Sequence, residues 1–270
     1  IEGVLDNISN IPEWHTSKIL KKIGNCDWKK SILSIHNNEV KDINSTYYRR
    51  LAYDEILANF LVLSQSRKRI KKLKKKNKIF DSTNAQKILS KLKFNLTKNQ
   101  IEIIDKINLD LKSDLKMFRL LQGDVGSGKT IVSLIAAANV VGSNYQAAFM
   151  APTEILAKQH YDLSKELLKP LSINVGLLTG KTEPSERKRI QEEISSGKIN
   201  LIIGTHAIYQ KKINFNNLGL IIIDEQHKFG VNQRKKLSDK AGKDCDVLLM
   251  TATPIPRTLT MTIYGDMDLS

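Results

Sequence analysis

Cysteine is nearly missing from this 270-residue chain, with Cys26 and Cys245 the only two. Two thiols so far apart give no disulfide framework and no metal-ligand spacing. Five scattered histidines add no metal motif. Long apolar runs are missing as well. None approaches the roughly 20 residues of a membrane span, so no membrane partner is expected. At the start, no charged segment precedes an apolar one, the arrangement a signal peptide would have. These absences lead to the expectation of a reducing, cytosolic protein.

Acidic residues are scarce in one part of the chain. Residues 1–100 hold 21 Lys and Arg against 9 Asp and Glu, a net +12, whereas residues 101–270 hold 22 against 19, a net +3. Such asymmetry suggests a polyanionic partner for the first part. The chain is also rich in Lys, Asn and Ile together, a mixture that an AT-rich genome places at tolerant surface positions. The two readings weigh evenly. Hydrophobic content of 41% is enough for a core.

The first third reads as helical. "IPEWHTSKILKKIG" runs from Ile11 to a stop at Gly24, and "DWKKSILSIHN" forms a second short helix. A long helix begins near Tyr47, with Leu51, Ile56, Leu57, Phe60, Leu61 and Leu63 close to one face. It is expected to continue into "RKRIKKLKKKNK", Arg67 to Lys78, where nine of twelve residues are basic. That run reads as a solvated helix end in preference to a DNA-backbone contact. Residues 77–95 look like a connection, so the expected division is a helical linker region over 1–95 and a lobe over 96–270.

From Lys98 onward short apolar runs alternate with amphipathic helices. The runs are "MFRLL", "QAAFMA", "INVGLL", "INLIIG", "LGLIIID" and "DVLLMTA". Runs this short and continuously apolar suit strands buried on both faces, and helical crossovers make such a sheet parallel. The expected fold is α/β, a mostly parallel doubly wound sheet, with ligands at the carboxyl ends of its strands.

One strand end carries "LLQGDVGSGKT", which contains G-x-x-x-x-G-K-[ST]. Gly123, Gly126 and Gly128 let successive N–H groups of Gly123, Asp124, Val125, Gly126, Ser127 and Gly128 turn around phosphate oxygens. Lys129 would reach the β- and γ-phosphates, and the Thr130 hydroxyl would ligate Mg²⁺. A second strand ends in "LIIIDEQH". Asp224 would hold Mg²⁺ there, and Glu225 would orient and deprotonate the attacking water. Two adjacent acids after a buried strand are hard to explain structurally, because unpaired charge there is costly.

Asp-Glu-x-His, Asp224 to His227, resembles the signature of superfamily 2 helicases and translocases, which adds His227 to the implied catalytic set. "LTKNQ" resembles their Q motif, in which Gln100 would read the adenine edge and favour ATP. "APTEILAKQH" resembles motif Ia and "GTHA" motif Ib. With "LLTGK", they make Pro152, Thr153, Gly180, Thr205 and His206 candidate DNA contacts. "TATPIPRT" resembles motif III, with Thr251, Ala252 and Thr253 coupling nucleotide state to strand grip. Together with "DEQHKFG" and "TATPIPRTLTMTIYGDMDLS", these segments resemble the RecG family of bacterial branch-migration helicases. "IPEW" and "YYRRLAYDEILANFLVLSQ" resemble that family's linker.

The resemblance implies a RecA-like lobe that uses ATP and Mg²⁺ on branched or forked double-stranded DNA. It implies a monomer in the bacterial cytoplasm, associated with the nucleoid. A wedge domain before these residues, and a second lobe with an arginine finger after them, would complete the machine. Competing readings are a transcription-repair coupling translocase, an RNA helicase and a non-motor P-loop ATPase. The first typically has glutamate where Gln226 stands, and the DEAD-box form has aspartate in place of His227. A non-motor ATPase has no reason to carry "LTKNQ" or "TAT".

Overall fold

The computed structural model describes residues 7, 9, 11–37, 42–70, 73–81, 83–210, 213–225, 242, 244–252 and 268–269. For Leu63, 66–70 and 268–269 only the backbone is described. Packing divides the chain into two compact units, one reaching to Ser66 and the other starting at Arg67.

The first unit holds α1 (Ser17–Ile23), α2 (Trp28–His36) and most of α3 (Thr46–Ile70). Gly24 ends α1 in the left-handed region at φ 108°, returning its N–H to Leu20 O, as the glycine stop predicted. The helix starts at Ser17 rather than Ile11, because the preceding residues have other partners. Glu13 accepts the His15 N–H at 2.9 Å. It also takes two bonds from the fully buried Arg50 guanidinium, at 2.7 and 3.0 Å. That bonding from Arg50 holds the Glu13 carboxyl below its ordinary pKa. Asp54 accepts the Arg50 Nε–H at 2.9 Å and also faces His15.

Contrary to expectation, the basic run is not one continuous helix. α3 ends at Ile70, and residues 75–80 are in neither helix nor strand. Lys75 N–H donates to Asp114 O, Lys78 N–H to Leu111 O, and Leu73 O accepts from Lys116. Two of the nine cations are neither solvated nor displayed to a polyanion. The side chains of Lys75 and Lys78 are fully buried, with both Nζ atoms on Asp246 Oδ2 at 2.7 and 2.6 Å.

The second unit continues with α4 (Thr83–Leu89), α5 (Lys98–Lys112), β1 (Phe118–Gln122), α6 (Lys129–Gly142), β2 (Gln146–Met150), α7 (Glu154–Leu168) and β3 (Val175–Leu178). Then come α8 (Pro184–Ser195), β4 (Leu201–Gly204), β5 (Leu218–Ile223), β6 (Asp246–Thr251) and the short β7 (Asp268–Leu269). The strand order is β3-β4-β2-β5-β6-β1-β7, and every described pairing between these strands is parallel. Leu120, Phe149, Ile222 and Leu248 are fully buried at the middle of the sheet.

Connections run toward β3 through α6 and α7, then reverse through α8. Right-handed crossovers therefore place α8 on the opposite face from α6 and α7. The α/β doubly wound expectation holds. Parallel pairing also brings the carboxyl ends of β1 to β6 to a single rim, which is what positions the site. Gly204 closes β4 at that rim, where a Cβ would lie 1.8 Å from Leu178 O on the neighbouring strand. Residues 83–89, read from sequence as a connection, form α4, whose Ile88 is fully buried in the core of this unit.

Candidate active site

Between β1 and α6 the chain turns through Gly123 to Gly128. Gly126 at φ 80° and Gly128 at φ 83° occupy the left-handed region, which side chains with a Cβ rarely adopt. A Cβ on Gly128 would also lie 2.5 Å from Gln100 Nε2. The turn closes with Ser127 N–H on Asp124 O at 3.1 Å. Lys129 then opens α6, and its Nζ donates to Gly123 O at 2.6 Å and Asp124 O at 2.8 Å. Asp124, Val125, Gly126 and Ser127 are exposed, whereas Thr130 is half-buried in the first turn of α6.

Gln100 has more structure around it than its sequence motif suggested. Its Oε1 accepts the Thr97 N–H at 2.8 Å, and Thr97 Oγ1 accepts the Gln100 N–H, closing a capping box on α5. Its Nε2 donates to Ser127 O at 2.9 Å, so the start of α5 is bonded to the glycine turn. A cavity of about 410 Å³ opens beside them, lined among others by Asn99, Gln100, Ile103, Gly126 and Lys129. Phe94, near Gln100 in sequence, is 55% exposed and does not line this cavity.

The acid pair follows β5. Asp224 N–H donates to Met150 O at 2.8 Å, and its carboxylate, nearly buried, stands 3.0 Å from His160 Nε2. Glu225 is a non-glycine residue at φ 48°, a conformation that needs surrounding structure to hold it. One such hold is the Ala252 N–H, which its carboxylate accepts at 3.2 Å. Thr251 is fully buried, and its carbonyl accepts the Gly123 N–H at 3.3 Å. The ends of β1, β5 and β6 are thereby bonded into one assembly containing Gly123, Glu225, Thr251 and Ala252. His227 and Thr253 lie outside the described residues.

A second group of loops lies along the same rim, after β2, β3 and β4. Thr153 is exposed and caps α7, accepting the Leu156 N–H at 3.3 Å, beside a half-buried Pro152. Glu154 accepts the Lys181 N–H at 3.2 Å, next to the exposed Gly180. Arg187 on α8 donates to Thr179 O at 2.8 Å and to Gln210 Oε1 at 3.2 Å, tying the loop after β3 to the one after β4. His206 is exposed. Thr205 is 3% exposed, and its hydroxyl has no partner among the described residues.

Sequence reasoning missed His160 and Arg187. His160 stood at the end of the quoted "APTEILAKQH", with nothing local to show that it reaches Asp224, 64 residues on.

A glycine cradle and an acid pair on one rim of a parallel sheet define a RecA-like P-loop lobe. Residues 97–262 match the DEAD/DEAH box helicase family model, and the chain belongs to that family. It is 44% identical over 266 residues to the ATP-dependent DNA helicase RecG of Aquifex aeolicus, covering 96% of this chain and 34% of that protein. It is 40% identical over 262 residues to RecG of Bacillus subtilis, covering 97% and 38%. A solved structure of RecG bound to a three-way DNA junction matches 96% of this chain and 35% of its own, at 37% identity and a TM-score of 0.75. The resemblance read from the motifs is borne out. The chain spans about a third of the length of the curated relatives it matches.

Proposed function

We propose that the protein is an ATP-driven translocase acting on branched or forked double-stranded DNA, remodelling stalled forks and migrating junctions in recombination and repair. The observation that carries this reading is the shared rim. The nucleotide loop and acid pair lie on the same edge of the sheet as the bonded loops after β2, β3 and β4. The junction-bound RecG structure, similar over 96% of this chain, supports DNA as the polyanion. Among the described residues no helix is long and apolar enough to cross a membrane. The proposal further takes the protein to be a monomer working at the bacterial nucleoid.

The residues present fit ATP and Mg²⁺. The left-handed glycines at 126 and 128 let the loop turn backbone N–H groups toward phosphate oxygens, those of Gly123 and Ser127 being bonded within the protein. Lys129 would exchange its two carbonyl partners for the β- and γ-phosphates. Thr130 and Asp224 would hold Mg²⁺, which neutralises charge on the β- and γ-oxygens when bound. Glu225 would take the proton of the attacking water.

The test is steady-state ATPase of the complete protein with forked duplex, plain duplex, single-stranded DNA and RNA. Forked duplex is expected to stimulate most. Equal or greater stimulation by RNA would overturn the DNA assignment.

Gln100 is assigned to the adenine edge, since its amide still has one donor and one acceptor position beyond the bonds described. Gln100→Ala is expected to narrow the preference for ATP over GTP about tenfold, one or two net hydrogen bonds. Competition binding with the two nucleotides measures this, and an unchanged ratio would leave Gln100 only its role of bonding α5 to the glycine turn.

A further inference from the structure

His160 stands where packing alone would favour an apolar side chain. The residue is 8% exposed, and its ring rests against Phe149 with centroids 4.6 Å apart. A buried imidazole is costly without a hydrogen-bond partner, and the partner here is Asp224 Oδ2 at 3.0 Å. Asp224 Oδ1 has no hydrogen bond among the described residues. One carboxylate oxygen is thus committed to orientation, and the other is left for the hydration shell of an ion. Carboxylates and imidazoles at metal sites are commonly oriented by such outer hydrogen bonds.

The position of His160 along its helix adds a second consequence. α7 begins beside Thr153 on the rim, and His160 lies two turns further on, about 10 Å along the axis. The start of α7 is itself bonded to the next rim loop through Glu154 and the Lys181 N–H. A rigid helix therefore runs from the loops proposed to meet DNA to the acid proposed to hold Mg²⁺.

We infer that His160 is a positioning residue: it fixes the orientation of Asp224 and, through α7, joins that acid to the DNA-facing loops. The inference rests on the nucleotide-hydrolysing reading above.

The test compares wild type, His160→Ala and His160→Gln in the complete protein, because a glutamine amide can reach where imidazole Nε2 donates. The first readout is affinity for a fluorescent ATP analogue with Mg²⁺ and with EDTA. In His160→Ala the gain in affinity from Mg²⁺ should fall about tenfold or more, with the EDTA value unchanged, and His160→Gln should restore it. The second readout is the stimulation of ATPase by forked DNA, which should fall and recover in parallel. An unchanged Mg²⁺ effect in a folded His160→Ala protein, or failure of the glutamine to rescue, would overturn the positioning role. A lowered Mg²⁺ effect with undiminished DNA stimulation would overturn the link through α7. If the wild type itself showed no Mg²⁺ effect, the nucleotidase reading would fall first and this inference with it.

Discussion

Lys129→Ala is expected to fold normally and to lose nucleotide binding by a factor on the order of 10² or more, the loss of charge-assisted bonds to phosphate. Glu225→Gln is expected to bind ATP as wild type does and to turn it over about 10²–10⁴ times more slowly, the usual contribution of a general base. The contrast follows from where the two groups sit. Lys129 Nζ lies against the carbonyls of its own loop, at the cradle's mouth, so its charge acts on bound phosphate before any chemistry. The Glu225 carboxylate stands outside the cradle and accepts the Ala252 N–H. A glutamine oxygen still accepts that bond, so the substitution removes basicity while the strained turn keeps its support. Equilibrium binding and single-turnover hydrolysis separate the two effects. Normal hydrolysis by Glu225→Gln would remove Glu225 from the role of base.

The second large effect concerns stability. Asp246 is fully buried. Its Oδ2 accepts from Lys75 and Lys78, and its Oδ1 accepts the Met117 N–H at 2.7 Å. Lys75 also donates to Asp110 O and Leu111 O, and Lys78 to Asp244 O. Asp246→Asn keeps the shape but leaves two buried ammonium groups without their counter-charge. Breaking a buried pair from one side costs about 3–5 kcal/mol, a large share of a domain's net stability. Burial already pushes the Lys75 pKa down, with Asp246 opposing that shift.

The pH dependence has a definite sign. A lysine whose folded pKa lies below its unfolded value binds fewer protons when folded. Stability therefore rises with pH between the folded value and the ordinary one, about 10.4. Removing Asp246 removes the group that opposes the downward shift. The destabilisation of Asp246→Asn relative to wild type should therefore be largest near neutral pH and shrink toward pH 10. Urea melts of both proteins at pH 7 and 10 measure it. A variant as stable as wild type at pH 7 would mean that the lysines find other partners.

Much of this protein is legible locally. The six long strands begin and end within two residues of the apolar runs that announced them, because continuous burial on both faces leaves a compositional mark. Gly24, Gly126 and Gly128 are legible from the backbone angles their places require. Even the common rim was implied, since strands linked by helical crossovers pair in parallel and end together.

The basic run shows where local reading stops. From Arg67 to Lys78 the sequence offers one charged pattern, and helix propensity favours continuing α3 through it. Tertiary packing decides otherwise, because Asp246, 171 residues beyond Lys75, supplies a buried counter-charge that no window of the chain contains.

The same holds for the contacts that organise the site. His160 meets Asp224, Gln100 meets Ser127, and Glu225 meets Ala252, each pair separated by 27 to 64 residues. Sequence by itself determined the strands, the phosphate cradle and the acid pair, whose signals are backbone angles, burial and residue type within a few positions. Only the tertiary structure decided which side chains orient them. A hydrogen bond depends on distance in space, and the sheet alone brings those atoms within 3 Å or so of one another.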